Sequence, residues 1–285
     1  MPIYRSLLFI PGNQPKMLVK GLESRPDAYI PDMEDSVASA DKADARRMVR
    51  AHTPALSATG IPVIPRVNAR DTGLAEDDLR AIVYPDIRGI SIGKINIPED
   101  VFWLDDFLSG LEREERMKAG GLELILWVES ALGIVNCYDI CRASDRVIAV
   151  AFGAEDYTQD MEIERLDDES NVSYARNTLC VAARAAGVLA LDTPYFQFRN
   201  ERGLVENAHE SKRIGFRGKF AIHPAQVAPI NRVFSPSSED IDRARRIVAA
   251  YEEAERKGRG STSLDGKVID VPVYKRARAL LETPR

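Results

Sequence analysis

The stretch that decides the fold lies between residues 122 and 156. It opens with Leu122-Glu-Leu-Ile-Leu-Trp-Val-Glu129, passes through a helical pattern at 132–143, and closes with Val147-Ile-Ala-Val-Ala-Phe-Gly-Ala-Glu-Asp156. Both outer runs are mostly apolar without alternation, which is typical of strands buried on both faces of a parallel sheet. Two such strands joined by a helix form a βαβ unit, so the stretch predicts an α/β protein.

Similar runs elsewhere in the chain bring the number of predicted strands to eight. The eight runs span residues 6–12, 28–35, 62–68, 89–95, 122–129, 147–156, 188–196 and 219–224. Amphipathic helical patterns lie between them at 38–52 and 170–186, and the second ends at Gly187, as expected of a C-cap. Eight β/α units in 285 residues predict a (β/α)8 TIM barrel. An open, doubly wound sheet is the alternative, although the first βα turn lacks the glycine fingerprint of dinucleotide-binding proteins.

The chain continues beyond the eighth predicted strand. We predict a catalytic barrel domain at 1–238 and, at 239–285, a C-terminal helix, a flexible link and a lid-like tail. The helical pattern covers 238–257, Gly258-Arg-Gly-Ser-Thr-Ser263 forms the link, and the tail at 264–281 is apolar again. Because a barrel does not need this segment for closure, we expect the tail to dock on another surface.

Composition and charge exclude several classes of protein. Hydrophobic residues make up 45% of the chain and charged residues 29%, which argues against a disordered protein. A net charge of −5 provides no basic surface for nucleic acid or an anionic membrane, and no apolar run is long enough to span a bilayer. The N-terminus lacks a signal-peptide pattern, so we expect a cytoplasmic protein. Cys137, Cys141 and Cys180 support neither a disulfide framework nor a zinc site, which predicts buried free thiols.

Polar residues end nearly every predicted strand, where a TIM barrel places its active site. Glu129 and Asp156 end neighbouring strands, so their carboxylates can converge. Two carboxylates at one barrel mouth repel each other unless a cation or a proton lies between them. Oxygen ligands without Cys or His suit Mg²⁺ better than Zn²⁺, and a general acid/base pair without a metal is the alternative. Other polar residues at strand ends are Asp32, Glu34, Asp35, Asn68, Lys94, Asp192 and His223.

Arg66, in Ile-Pro-Arg-Val-Asn, ends the third predicted strand. Its guanidinium group suits a substrate carboxylate or a developing enolate oxygen. The alternative is a buried ion pair with Asp32 or Glu34. The tail holds a further charged residue, Asp270, with no evident structural purpose. A tail that closes over a barrel mouth would bring this carboxyl group to the reaction.

Seven motifs, in this order along the chain, resemble the citrate lyase beta subunit-like family of CoA-ester lyases, which includes citryl-CoA, malyl-CoA and citramalyl-CoA lyases. They are Arg5-Ser-Leu-Leu-Phe-Ile-Pro-Gly12, Pro31-Asp-Met-Glu-Asp-Ser-Val37, Ile64-Pro-Arg-Val-Asn68, Val128-Glu-Ser-Ala-Leu-Gly-Ile-Val-Asn136, Ala154-Glu-Asp-Tyr157, Tyr174-Ala-Arg176 and Leu264-Asp-Gly-Lys-Val-Ile-Asp270. The resemblance extends from Arg5 to about Leu281, which is nearly the whole chain.

This resemblance implies a TIM barrel that assembles as a homotrimer or hexamer and uses Mg²⁺. It implies that Glu129 and Asp156 are the metal ligands and that Arg66 contacts the carboxylate and acyl oxygens of the substrate. It also implies that Asp270 is the catalytic acid/base residue, on a tail that closes over the active site of a neighbouring subunit.

The resemblance extends to residues that would bind substrate. Phe9 and Lys20 match positions that contact CoA, and we expect Glu155, in Ala-Glu-Asp-Tyr, to contact the substrate. Gln14 stands where some relatives have a basic residue, and Lys94 follows Ser-Ile-Gly where relatives usually read Leu-Pro. These differences can alter substrate choice without removing the metal site.

The predicted activity is Mg²⁺-dependent cleavage of the C–C bond of a 3-hydroxy-3-carboxyacyl-CoA to an acyl-CoA and a 2-oxo acid. Two other activities remain open. One is hydrolysis of an acyl-CoA thioester at the same site. The other is action on an acyl-carrier-protein thioester, as a subunit of a citrate lyase-type complex.

Overall fold

The structure is a computed structural model that describes residues 3–166 and 168–282. Its first compact unit, Met1–Phe234, contains a closed barrel of eight parallel strands in chain order. The strands are β1 (Ser6–Pro11), β2 (Ala28–Asp32), β3 (Arg66–Val67), β4 (Gly89–Ile92), β5 (Glu123–Val128), β6 (Val147–Phe152), β7 (Leu189–Asp192) and β8 (Gly218–Ala221). Pairing of β1 with β8 closes the barrel. The predicted TIM barrel is confirmed, and the open-sheet alternative is wrong.

Helices connect the strands, as the sequence patterns predict. They are α1 (Pro15–Gly21), α2 (Lys42–Ser57), α3 (Ala75–Ile82), α4 (Pro98–Glu114), α5 (Ala131–Arg142), α6 (Ala154–Asp160), α7 (Ser173–Ala186), α8 (Glu201–Ile214) and α9 (Val227–Phe234). Helix α2 begins later than predicted because Ser39–Asp41 forms a 3-10 turn, and it includes Pro54 near its end. Gly187 ends α7 with φ at +81°, a left-handed conformation that favours glycine.

Apolar side chains fill both the barrel interior and the layer between barrel and helices. The interior holds alternate residues of the strands, such as Leu7, Ile30 and Ile125. Towards the carboxyl ends of the strands it is filled by three rings: the centroid of Phe220 lies 5.1 Å from that of Phe9 and 4.4 Å from that of Trp127. The packed rings support the residues at the carboxyl ends of the strands from below. The three cysteines are buried free thiols, as predicted.

The second compact unit, Ser235–Arg285, contains two helices and a β-hairpin within its described residues, 235–282. Its elements are α10 (Ser238–Arg256), β9 (Thr262–Leu264), β10 (Lys267–Ile269) and α11 (Val271–Glu282). Tyr251 and Tyr274 stack between the helices with centroids 4.6 Å apart. Asp265 and Gly266, at φ +53° and +73°, form the hairpin turn, so strand structure begins within the segment predicted to be a flexible link. Among the helices of the described residues, none is long and apolar enough to cross a membrane.

Candidate active site

The carboxyl ends of the barrel strands bring together residues that are distant in sequence. Asp32, at the end of β2, lies in register with Arg66 of β3. Val128 pairs with Phe152, so Glu129 and Gly153 follow β5 and β6 side by side. The predicted strands extend beyond the observed ones at this edge. The chemically important carboxylates therefore lie on the loops and helix starts that follow the strands, which is where a TIM barrel carries its chemistry.

Arg66 is a buried guanidinium held by three carboxylates. Its Nε and Nη2 donate to the two oxygens of Asp32 at 2.7 and 2.8 Å, which is a bidentate contact. Nη1 lies 3.0 Å from a carboxylate oxygen of Glu34 and 3.0 Å from one of Asp35. Burial lowers the pKa of Arg66, but these carboxylates outweigh it and raise the pKa above its usual value. Arg66 therefore forms ion pairs with both Asp32 and Glu34, and these pairs fix its guanidinium group in place.

Glu129 is enclosed by two glycines. A Cβ atom at Gly153 would lie 2.1 Å from Oε2 of Glu129, and one at Gly93 would lie 2.8 Å from Oε1. Oε1 accepts the backbone N–H of Lys94 at 2.6 Å, and no other described residue donates to this carboxylate. Burial and then the charge of Asp156 raise the pKa of Glu129 to about 7. The carboxylate is thus confined to one position and has no salt-bridge partner among the described residues.

Asp156 lies in the first turn of α6, with its side chain about a third exposed. Burial, followed by repulsion from Asp35, raises its pKa. The Nζ atom of Lys94 is 3.9 Å from Oδ1 of Asp156. Lys94 has φ at +56°, a left-handed conformation that a non-glycine residue rarely adopts. Lys94 therefore contacts both predicted metal ligands, Glu129 through its backbone and Asp156 through its side chain.

Glu34 adds a third carboxylate to the same side of the site. A Cβ atom at Gly93 would be 3.0 Å from Oε1 of Glu34, so Glu34 and Glu129 flank the same glycine. Burial raises the pKa of Glu34 to about 8, with Arg66 opposing and Asp35 and Glu129 adding to the shift. The raised pKa values of Glu34, Glu129 and Asp156 share one leading cause, the burial of each carboxyl group, and repulsion from neighbouring carboxylates adds to it.

These residues fit a hard divalent cation. The donor atoms of Glu129 and Asp156 are carboxylate oxygens, which Mg²⁺ prefers to nitrogen or sulfur ligands. No cluster of three or more His, Cys, Asp or Glu suited to a metal occurs at 3–166 or 168–282. Mg²⁺ characteristically takes one or two carboxylates and completes its shell with water and substrate oxygens, so a pair of carboxylates is sufficient.

The remaining predicted site residues lie in different surroundings. The ring of Phe9 is 4.5 Å from the guanidinium carbon of Arg66, so Phe9 adjoins the site. Lys20 is exposed in the last turn of α1. Glu155 is exposed beside Asp156, and its Oε1 accepts a hydrogen bond from Arg165 at 2.6 Å.

Asp270 belongs to the second compact unit, where it has a structural role that sequence reasoning missed. Its Oδ1 accepts the N–H of Val273 at 3.1 Å and its carbonyl accepts that of Tyr274 at 2.9 Å. Asp270 therefore caps the N-terminus of α11. The premise that this charge has no structural purpose is wrong, although its side chain is exposed.

Two comparisons of sequence find close counterparts of this chain. The profile of the HpcH/HpaI aldolase/citrate lyase family matches residues 5–224. The chain is 36% identical over 282 residues to citrate lyase subunit beta of Haemophilus influenzae, covering 99% of this chain and 97% of that protein. It is 32% identical over 288 residues to the mitochondrial citramalyl-CoA lyase of Homo sapiens, covering 96% of this chain and 83% of that protein.

A solved structure has a similar fold over nearly its full length. This is the protein CitE from Mycobacterium tuberculosis in complex with magnesium, acetoacetate and coenzyme A. The TM-score is 0.78 at 26% sequence identity, with 98% of this chain and 97% of that chain covered.

Proposed function

Because the chain belongs to the HpcH/HpaI aldolase/citrate lyase family, we propose that it is a Mg²⁺-dependent CoA-ester lyase. Its substrate is a 3-hydroxy-3-carboxyacyl-CoA of the citryl-, malyl- or citramalyl-CoA type, and its products are acetyl-CoA, or another acyl-CoA, and a 2-oxo acid. The observation that carries the proposal is the fixed guanidinium of Arg66 at the same strand ends as the confined carboxylate of Glu129. The CitE structure, which contains magnesium, acetoacetate and coenzyme A, supports it.

Glu129 and Asp156 would hold the metal ion. When bound there, Mg²⁺ supplies Lewis-acid polarisation of the substrate's hydroxyl and carboxylate oxygens. Lys94 positions both ligands, since its N–H fixes Oε1 of Glu129 and its ammonium group adjoins Asp156. Gly93 and Gly153 pack closely against the carboxylate of Glu129 and restrict its rotation.

Arg66 stabilises the charge that develops during cleavage. The 3-hydroxyl group transfers its proton to water, the bond between C2 and C3 breaks, and the electron pair of that bond moves onto the thioester to form an enolate. The hydroxyl carbon leaves as the carbonyl of the 2-oxo acid. Arg66, already oriented by its carboxylates, binds the enolate oxygen without having to reorganise. Asp270 gives a proton to the enolate carbon, which completes acetyl-CoA.

The other predicted residues bind the substrate around this centre. Phe9 and Lys20 contact CoA, and Glu155 contacts the substrate at the start of α6. We propose that the chain forms a homotrimer or hexamer in which the tail carrying Asp270 closes over a neighbouring subunit.

The decisive experiment supplies citryl-, malyl- and citramalyl-CoA in turn, with Mg²⁺ or with excess EDTA. Dehydrogenase-coupled detection of the 2-oxo acid and a thiol reagent for free CoA are run in parallel. A lyase produces 2-oxo acid without free thiol, and Glu129→Gln should abolish it. Glu114→Gln, at an exposed residue at the end of α4, is the matched control and should retain full activity. Full activity in EDTA would contradict the metal requirement, and free thiol without 2-oxo acid would indicate a hydrolase.

A second candidate is favoured by the names of relatives, several of which are called citrate lyase subunit beta. A subunit of such a complex would act on a thioester carried by an acyl-carrier protein. The same assay, repeated with citryl thioester on a carrier protein, distinguishes the two. A much higher kcat/KM for the carrier-bound thioester than for citryl-CoA would establish this alternative.

A further inference from the structure

A cavity of about 280 Å³ is lined in part by residues that contact the candidate metal ligands. Gly93 and Lys94 line it, and these are the residues that contact Glu129 and Asp156. A group bound in the cavity would therefore adjoin the reacting atoms. The cavity is large enough for the few carbon and oxygen atoms of a short carboxylic acid.

Arg70 gives this cavity a cation with unused hydrogen-bond donors. Its guanidinium carbon lies 4.7 Å from the centroid of the Trp103 ring, which also lines the cavity. Nη1 is 3.8 Å from Oδ1 of Asp100, beyond hydrogen-bond distance, and the guanidinium group makes no hydrogen bond to any residue that the structure describes. Stacking on an indole orients an arginine and leaves its N–H edge free for a carboxylate.

Asp100 forms an ion pair with Arg70 at 3.8 Å but accepts no hydrogen bond from it, so the pair leaves these donors available. Oδ2 of Asp100 accepts the backbone N–H groups of Asn96 at 3.0 Å and Ile97 at 3.2 Å, so Asp100 caps α4. Asp71 is exposed. Lys94 is the second cation of the wall, and its ammonium group adjoins Asp156 on the metal side. An entering carboxylate would thus meet the free edge of Arg70.

We propose that this cavity binds the part of the substrate that leaves as the 2-oxo acid, and that Arg70 binds a second carboxylate on that part. This inference rests on the proposed function and narrows it. Citryl-CoA carries a carboxymethyl group where citramalyl-CoA carries a methyl group, and the two are otherwise alike at this carbon. Arg70 is therefore a specificity-determining residue that favours the substrate whose product is a dicarboxylic 2-oxo acid.

The kinetic test compares the ratio of kcat/KM for citryl-CoA to that for citramalyl-CoA. Arg70→Gln should lower this ratio by roughly tenfold to a hundredfold, the usual effect of losing a hydrogen bond to a charged group. Arg80→Gln is the matched control, because Arg80 is also exposed and also stacks on an aromatic ring, that of Phe107 at 5.0 Å, but does not line the cavity. Its ratio should stay unchanged. A ratio that Arg70→Gln leaves within twofold of the wild-type value overturns the proposal.

A binding measurement separates this inference from the proposed function. Malate and lactate are stable 2-hydroxy acids that differ by the same carboxylate, and calorimetry in Mg²⁺ buffer measures both. The native protein should bind malate at least about tenfold more tightly than lactate, and Arg70→Gln should remove the difference. If neither CoA ester is cleaved but this preference is found, Arg70 binds a second carboxylate of a 2-hydroxy acid and the lyase fails. If the esters are cleaved and no preference depends on Arg70, the lyase stands and the cavity proposal fails.

Discussion

Replacing Gly153 by alanine tests whether the carboxylate of Glu129 must lie where the structure places it. The new Cβ atom would lie 2.1 Å from Oε2 and 2.7 Å from Cβ of Glu129, whereas ordinary contacts begin near 3.4 Å. The carboxylate must therefore retreat by roughly 1 Å or more, and a displacement of that size at a reacting centre can reduce turnover on the order of a hundredfold. Gly153 itself has φ −100° and ψ 94°, which alanine adopts without strain, so the loss would not arise from its backbone.

The assay for Gly153→Ala is kcat/KM for the best CoA ester over a range of Mg²⁺ concentrations, together with the melting temperature. We expect about a hundredfold lower kcat/KM and a loss of about 1–3 kcal/mol in the free energy of unfolding, as for other overpacked sites. Gly110→Ala in α4 is the control, since its Cβ would meet nothing within 4 Å. Gly110→Ala should keep full activity, and its free energy of unfolding should rise by about 0.5–1 kcal/mol. Activity of Gly153→Ala within twofold of the native value, with unchanged Mg²⁺ dependence, would refute Glu129 as a metal ligand.

Three further outcomes are expected. Arg66→Lys should reduce kcat/KM by ~10²–10³-fold, because a lysine keeps the charge but cannot make the planar two-point contact; steady-state kinetics within twofold of native would make Arg66 purely structural. Lys219→Met should lower the free energy of unfolding at pH 7 by about 3–5 kcal/mol, because it removes a partner of the buried Asp192. Burial raises the pKa of Asp192, but Lys219 and Arg176 hold it below the usual range. The stabilisation is therefore complete above the unfolded pKa of about 3.9 and is lost progressively as the pH falls from there through the lower folded value. Denaturant titrations should show a smaller difference in free energy of unfolding between native protein and variant at pH 3 than at pH 7, and a constant difference would count against the ion pair. Asp270→Asn and Glu129→Gln should each be inactive alone. When the two variants are mixed and exchange subunits, part of the activity should return, because some sites combine a native Glu129 with a native Asp270 from the neighbour. No recovery despite proven exchange would argue against delivery of Asp270 to a neighbouring subunit.

The strands were predictable because buried parallel strands are apolar on both faces, and the helices between them have one polar side. Because these strands are apolar on both faces, the sequence does not indicate in which direction the side chain at each strand end points. Asp192 ends β7, at the strand end where Glu129 follows β5, yet it is fully buried and bound by Arg176 and Lys219. Leu189 and Leu191 occupy the interior positions of β7, so the next residue faces the helices instead of the mouth. A strand in which apolar and polar residues do not alternate does not reveal which of its residues face the barrel interior and which face the helices.

The candidate site was predictable where chemistry requires a particular residue type, as with Arg66 and Glu129. It was not predictable where backbone geometry decides. Nothing in the residue type of Lys94 indicates its left-handed conformation or the contact of its N–H with Glu129. The capping role of Asp270 did have a signal, namely an aspartate directly before a helical segment with Pro272 in its first turn.

The left-handed backbone at Lys94 has a consequence for how this chain would change under selection. A non-glycine residue at φ +56° costs about 1–2 kcal/mol relative to an unstrained one. Glycine at position 94 would remove that cost and still donate its N–H to Glu129, but it would delete the ammonium group beside Asp156. Selection for heat resistance alone therefore drives this position towards glycine, and selection for turnover drives it back to lysine. In a mutant library sorted for both properties, the residue recovered at position 94 reports which pressure prevailed.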